Sequence, residues 1–153
     1  MLNGEGLRTV LWVAGCSHHC PQCHNPVTWD INRGLVFDEQ AKEELFEELK
    51  KDYVSGVTFS GGDPLHLENR EEIGALAKEI REKFPDKTIW LYTGYEWEEI
   101  CHLSFLSNID VIVDGKFKIE EKDNNLHWKG SANQRVIDVK ASLRAGEVRL
   151  YQE

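Results

Sequence analysis

Three cysteines stand close together in this 153-residue chain, spaced C-x3-C-x2-C as Cys16, Cys20 and Cys23 within Gly15-Cys16-Ser17-His18-His19-Cys20-Pro21-Gln22-Cys23-His24. Thiolates are soft ligands suited to iron–sulfur clusters, and a cubane ordinarily takes four of them, one per iron. Three thiolates leave one iron open to an outside ligand. Rival chemistries draw on the same residues. Cys20-Pro21-Gln22-Cys23-His24 fits the C-x-x-C-H of c-type haem attachment, which gives Cys16 no role. Cys16, Cys20, Cys23 and His24 could bind a structural zinc, although compact zinc sites more often use two separated pairs. A thiol redox pair at Cys20 and Cys23 would normally sit at a helix N-terminus. His18 and His19 either tune the cluster by hydrogen bonding to sulfur or are solvated loop residues.

Such a loop has to be held by regular elements. Residues 9–14, 57–59, 89–92 and 109–113 are short apolar runs rich in β-branched and aromatic side chains, as expected of strands covered on both faces. Each runs into glycine or a polar-glycine pair: Gly15, Ser60-Gly61-Gly62, Thr93-Gly94 and Asp114-Gly115. Between the runs, Ala41, Leu45 and Leu49 follow Asp38 at helical spacing, and Ile73, Leu76, Ala77, Ile80 and Phe84 follow Asn69 until Pro85. A third helix is predicted from Glu96 to Leu103, with Cys101 as a small buried hydrophobe inside it. The order β, α, β, α, β, α, β predicts an α/β fold with right-handed crossovers. In such folds the C-terminal strand ends form the ligand-binding face, so four separated glycine-bearing segments are expected on one rim. Residues 134–151 are read as a terminal hairpin, and Trp90, Trp97 and Trp128 as packing residues. Asp114, Lys116 and Arg135 are candidates for ligand or partner contacts, with a turn or surface role as the alternative.

The chain has the size of a single domain, 1–153. Eighteen Lys and Arg against 27 Asp and Glu give a formal charge of 18 − 27 = −9. That balance excludes a phosphate-tracking surface, so no nucleic-acid partner is expected. Neither a leader sequence nor a membrane-spanning apolar run is visible, which predicts a cytoplasmic protein with reduced thiols and no membrane partner.

An open iron can chelate the amino and carboxylate groups of S-adenosylmethionine and hold its sulfonium against the cluster. The C-x3-C-x2-C loop, followed by Ser60-Gly61-Gly62-Asp63-Pro64, resembles the radical S-adenosylmethionine enzymes. Further pieces are similar to one branch of them, the activating proteins of anaerobic ribonucleoside-triphosphate reductase: Asn3-Gly4-Glu5-Gly6, Thr28-Trp29, Asn69 to Ile73, Trp90 to Tyr95, Asp110 to Phe117 and Trp128 to Arg135. The resemblance implies an incomplete parallel (β/α) barrel carrying a 4Fe–4S cluster on Cys16, Cys20 and Cys23. It implies S-adenosylmethionine beside Gln22, Cys23, His24, Ser60, Gly61, Gly62, Asp63 and Thr93. Gly61, Gly62 and Asp63 are then expected at the methionine end, the acidic segment suiting its ammonium group; Thr93, ending the third strand, either hydrogen-bonds the ribose or only caps a turn. Gln22 and His24 stand where an aromatic residue is common, so adenine packing is expected to use backbone and the His24 ring.

The implied reaction is hydrogen abstraction from one glycine of the reductase's large subunit, with an external electron donor such as flavodoxin or ferredoxin. Another glycyl radical enzyme as substrate, or a non-enzymatic zinc module, are the competing readings.

Overall fold

The computed structural model describes residues 4, 6–13, 39–61, 63–116, 118, 120, 128, 129, 131 and 133–151. Cys16, Cys20, Gln22, Cys23, His24 and Gly62 lie outside them. Five strands, β1 (Arg8–Val13), β2 (Gly56–Gly61), β3 (Thr88–Tyr92), β4 (Val111–Asp114) and β5 (Arg135–Asp138), form one sheet in chain order. The first four are mutually parallel, and β5 runs antiparallel to β4. The result is a mixed α/β sheet, mostly parallel: the four strands expected to be parallel are so, and the antiparallel β5 comes from the segment read as a terminal hairpin.

Crossovers between the parallel strands carry α1 (Glu39–Leu49), α2 (Leu67–Lys83) and the short α3 (Trp97–Ile100), which leads into a 3-10 turn at Ser104–Asn108. Their apolar stripes meet one face of the sheet. Leu45 and Leu49 of α1 and Ile73, Leu76, Ala77 and Ile80 of α2 pack in one cluster with Val57, Phe59, Ile89, Leu91, Ile112 and Ile137. Each such fully buried aliphatic side chain contributes about 1.5–3 kcal/mol of transfer free energy. α2 begins at Leu67, ahead of the Asn69 start suggested by the sequence, because the His66 carbonyl already accepts from the amides of Asn69 and Arg70.

Among the described residues, no helix covers the other face at β3 and β4. Trp90, Val111, Val113 and Trp128 form a second buried cluster there, with Tyr92, Val136 and Tyr151 packed against it. The Trp90, Trp128 and Tyr151 rings meet edge to face at centroid distances of 5.1, 5.3 and 5.5 Å. The buried positions of Trp90, Trp97 and Trp128 agree with their reading as packing residues.

Two local expectations change. α3 is a single turn whose Glu96 and Glu99 form a capping box, and Cys101 follows it as an exposed C-cap. Trp97 and Ile100 take the buried positions of that turn while Cys101 is exposed, so the thiol is not a core residue. Within 134–151, β5 is followed not by a turn but by α4 (Val139–Ala145). Asp138 caps α4 by accepting from the Ala141 amide at 3.0 Å, and Gly146 ends it in the left-handed region at φ 72°. Leu150 then returns to pair with Ile137 in a lone antiparallel bridge.

Candidate functional site

The parallel register of β1 and β2 sets Trp12 beside Ser60 and Val13 beside Gly61. The chain therefore leaves β1 toward Cys16 from a point next to the glycine that ends β2. Glycine there leaves room for a ligand to approach backbone.

Past Gly61 the structure brings Asp63 and Thr93 together. Asp63 is 1% exposed. Its Oδ1 accepts from the Thr93 hydroxyl at 2.8 Å and the Leu65 amide at 2.9 Å, and its Oδ2 accepts from the Gly94 amide at 3.0 Å. The Thr93 hydroxyl in turn accepts from the Tyr95 amide at 3.1 Å. On the other side of the turn, the Asp63 carbonyl accepts from the His66 amide at 3.0 Å and the Asn69 side-chain amide at 3.1 Å. Arg70 Nε donates to the Leu65 carbonyl at 3.1 Å while its guanidinium lies 5.5 Å from the centre of the Tyr95 ring. Sequence reasoning found Asp63 and Thr93 but not their mutual bond, nor Arg70 and Tyr95 as partners.

The same rim continues to β4 and β5. The Tyr95 carbonyl accepts from Gly115, and buried Asp114 accepts from the Trp97 amide at 2.8 Å. Arg135, at the start of β5, reaches both oxygens of Asp114, at 3.1 and 2.5 Å, and also bonds Glu98 at 2.8 Å. The hydrogen bonds to Asp114 and then Glu98 raise the Arg135 pKa, and the Arg135 bond holds the Glu98 carboxyl below its ordinary value. Of the three candidates Asp114, Lys116 and Arg135, the first and last thus pair a buried carboxylate with a half-buried guanidinium, and the pair shapes the rim. Lys116 is exposed, and its carbonyl accepts from the Asn133 side-chain amide at 2.8 Å. Gln134 Nε2 donates to the Gly115 carbonyl at 2.9 Å. The polar run Ser131 to Arg135 was the one signal in the sequence for this clasp.

At the opposite end of the strands a cavity of about 1120 Å³ opens between Ser55, Lys87, Thr88, Asp110, Asp138 and Lys140. Several of its charged groups are engaged with one another and with backbone: Lys87 Nζ donates to the Lys51 and Val54 carbonyls, and Lys140 pairs with Asp110. The site that gathers glycine-bearing strand ends is the rim. No group of three or more metal-binding side chains is found among the described residues.

The family model described as the 4Fe–4S single cluster domain matches residues 2–137. The anaerobic ribonucleoside-triphosphate reductase-activating protein of Enterobacteria phage T4 is 45% identical over 135 residues, covering 88% of this chain and 86% of that protein. The protein of the same name from Haemophilus influenzae is 41% identical over 140 residues, covering 89% and 90%, and that of Escherichia coli K12 is 40% identical over 140 residues, covering 89% and 91%. This chain belongs to the family of anaerobic ribonucleoside-triphosphate reductase-activating proteins. As one of these activating proteins it carries the 4Fe–4S single cluster domain from ahead of β1 into β5, and the match stops short of α4. No solved structure matches the chain. Among the described residues of this activating protein, no helix is long and apolar enough to cross a membrane.

Proposed function

We propose that this chain is a radical S-adenosylmethionine enzyme that generates a glycyl radical on the large subunit of anaerobic ribonucleoside-triphosphate reductase. The observation that supports the reading is the β1–β2 register, which ends β1 at Val13 beside Gly61, three residues of sequence ahead of Cys16, the first of the three cysteines. The donor set fits the group: three soft thiols for a cubane, and small residues where a bulky ligand has to approach backbone. Cys16, Cys20 and Cys23 would hold the 4Fe–4S cluster. Gln22, Cys23 and His24 would flank the adenine, Ser60 to Asp63 the methionine end, and Thr93 the ribose side. When bound, the cluster and S-adenosylmethionine supply a 5′-deoxyadenosyl radical, by one-electron cleavage of a carbon–sulfur bond, that removes hydrogen from a glycine α-carbon. The residues of this chain bind, orient and shield. We infer that the mixed sheet is part of an incomplete (β/α) barrel whose rim admits the reductase's glycine segment. A one-electron donor such as flavodoxin or ferredoxin completes the system, and the protein works in the cytoplasm.

Anaerobic reconstitution with iron and sulfide, followed by reduction in the presence of S-adenosylmethionine, tests the reading. 5′-Deoxyadenosine is the expected product, with a glycyl radical signal in electron paramagnetic resonance once the large subunit is added. An intact, reduced cluster that yields no 5′-deoxyadenosine defeats it.

A further inference from the structure

The loop after β2 and the loop after β3 are closed into a ring of side-chain contacts. From Asp63 the ring runs through the Thr93 hydroxyl to the Tyr95 amide, across the Tyr95 ring to Arg70, and through the Leu65 carbonyl and amide back to Asp63. Nothing in this arrangement turns the Asp63 carboxyl toward an incoming ligand. Both of its oxygens are engaged by protein donors, two of which belong to the neighbouring loop. An amide in place of the carboxyl would aim its own N–H groups at one of those donors, which is why the position calls for an acid.

We propose that Asp63 and Thr93 are positioning residues: a buried pin that locks the Gly61-bearing loop to the Gly94 loop, so that the two receive S-adenosylmethionine as one preformed wall. The inference rests on the proposed function for the identity of the ligand, while the pin itself stands on the described geometry. Asp63 then serves the methionine end through the backbone it fixes, and its carboxyl does not bind the ammonium group. A wall set before binding spares the ligand the ordering of two loops, so losing the pin weakens binding more than it slows chemistry.

The test uses the reconstituted full chain with Asp63→Asn, Thr93→Val and Thr93→Ser, and two readouts. The first is amide hydrogen exchange without S-adenosylmethionine. Thr93→Val, altered only on the β3 loop, is expected to speed exchange of the Leu65 amide on the β2 loop by about three- to tenfold, as loss of one buried hydrogen bond implies. Thr93→Ser, which keeps the hydroxyl, returns that amide to the wild-type rate. The second readout is kinetic: Asp63→Asn raises KM for S-adenosylmethionine about tenfold more than it lowers kcat, at wild-type iron content.

Unchanged Leu65 exchange in Thr93→Val overturns the pin, as does an Asp63→Asn protein whose KM stays at the wild-type value. If Asp63→Asn does not fold, the Thr93 pair decides alone. Because exchange is read without ligand, a wild-type protein that fails to cleave S-adenosylmethionine removes the functional reading and leaves the pin to be judged on exchange.

Discussion

Tyr92 shows how much one hydroxyl holds on the helix-free face. It donates to the Trp128 carbonyl at 2.6 Å, across 36 residues of sequence, and Trp128 itself sits at φ 67°, a left-handed conformation that a bulky residue adopts only when its surroundings impose it. Burial pushes the Tyr92 phenol above its ordinary pKa. The neutral phenol is therefore the favoured form in the folded protein. Its contribution to stability is complete below the unfolded value of about 10 and is lost as pH rises through the raised folded value. Tyr92→Phe is expected to cost about 1 kcal/mol at pH 8, and the gap to wild type should narrow above pH about 10, as read by urea unfolding at the two pH values. The exposed thiol of Cys101 leads to a different expectation: Cys101→Ala should leave the iron content of the reconstituted protein at the wild-type level, and loss of iron would mean that the cluster has a fourth thiolate. The spacing of Cys16, Cys20 and Cys23 was readable because covalent sequence fixes which ligands lie within one loop. The direction of the Asp63 side chain was not, because its acceptors' partners lie 30 and 31 residues away on another loop.

Elements with a long apolar stripe or a two-faced apolar run were legible, as α2 and strands β2 to β4 illustrate. In these the periodic burial of Ile73, Leu76, Ala77 and Ile80, or of Ile89, Trp90 and Leu91, is written directly in residue type. β5 and α4 were not. Arg135-Val136-Ile137-Asp138 is short and polar at both ends, and its strand character depends on Asp114 receiving Arg135 across the antiparallel pair. α4 has only seven residues and owes its definition to its caps. Gly146 tests this: nothing lies within 4 Å of where a Cβ would stand, so Gly146→Ala has no steric clash and meets only the left-handed backbone penalty. A loss of about 1–2 kcal/mol in denaturant unfolding is expected. A neutral result would show that α4 does not end in the left-handed cap.

At the scale of the molecule, burial is concentrated where β2 and β3 lie inside the sheet, with Val57, Phe59, Ile89 and Leu91 fully buried. Residues 149–151 lie at the sheet's edge against β5, with the Arg149 carbonyl on the Asp138 amide, the Arg149 amide on the Ser142 hydroxyl, the Tyr151 amide on the Val136 carbonyl and the Tyr151 ring on Trp90. Native-state hydrogen exchange should therefore open in order, with the Tyr151 amide exchanging well ahead of those of Phe59 and Leu91. Equal protection would mean that the terminal segment unfolds only with the whole core.

The reversed direction of β5 has a consequence for how so short a chain can furnish so many rim segments. A parallel fifth strand would have to be reached from the far side of the sheet by a crossover of a dozen residues or more, and only its last residue would face the ligand. Running the other way, β5 begins where β4 ends, so Gly115 and Gln134 stand side by side at the same end of the sheet. Length can be added between those two positions without disturbing strand order, which makes that connection the natural place for sequences of this family to differ in size.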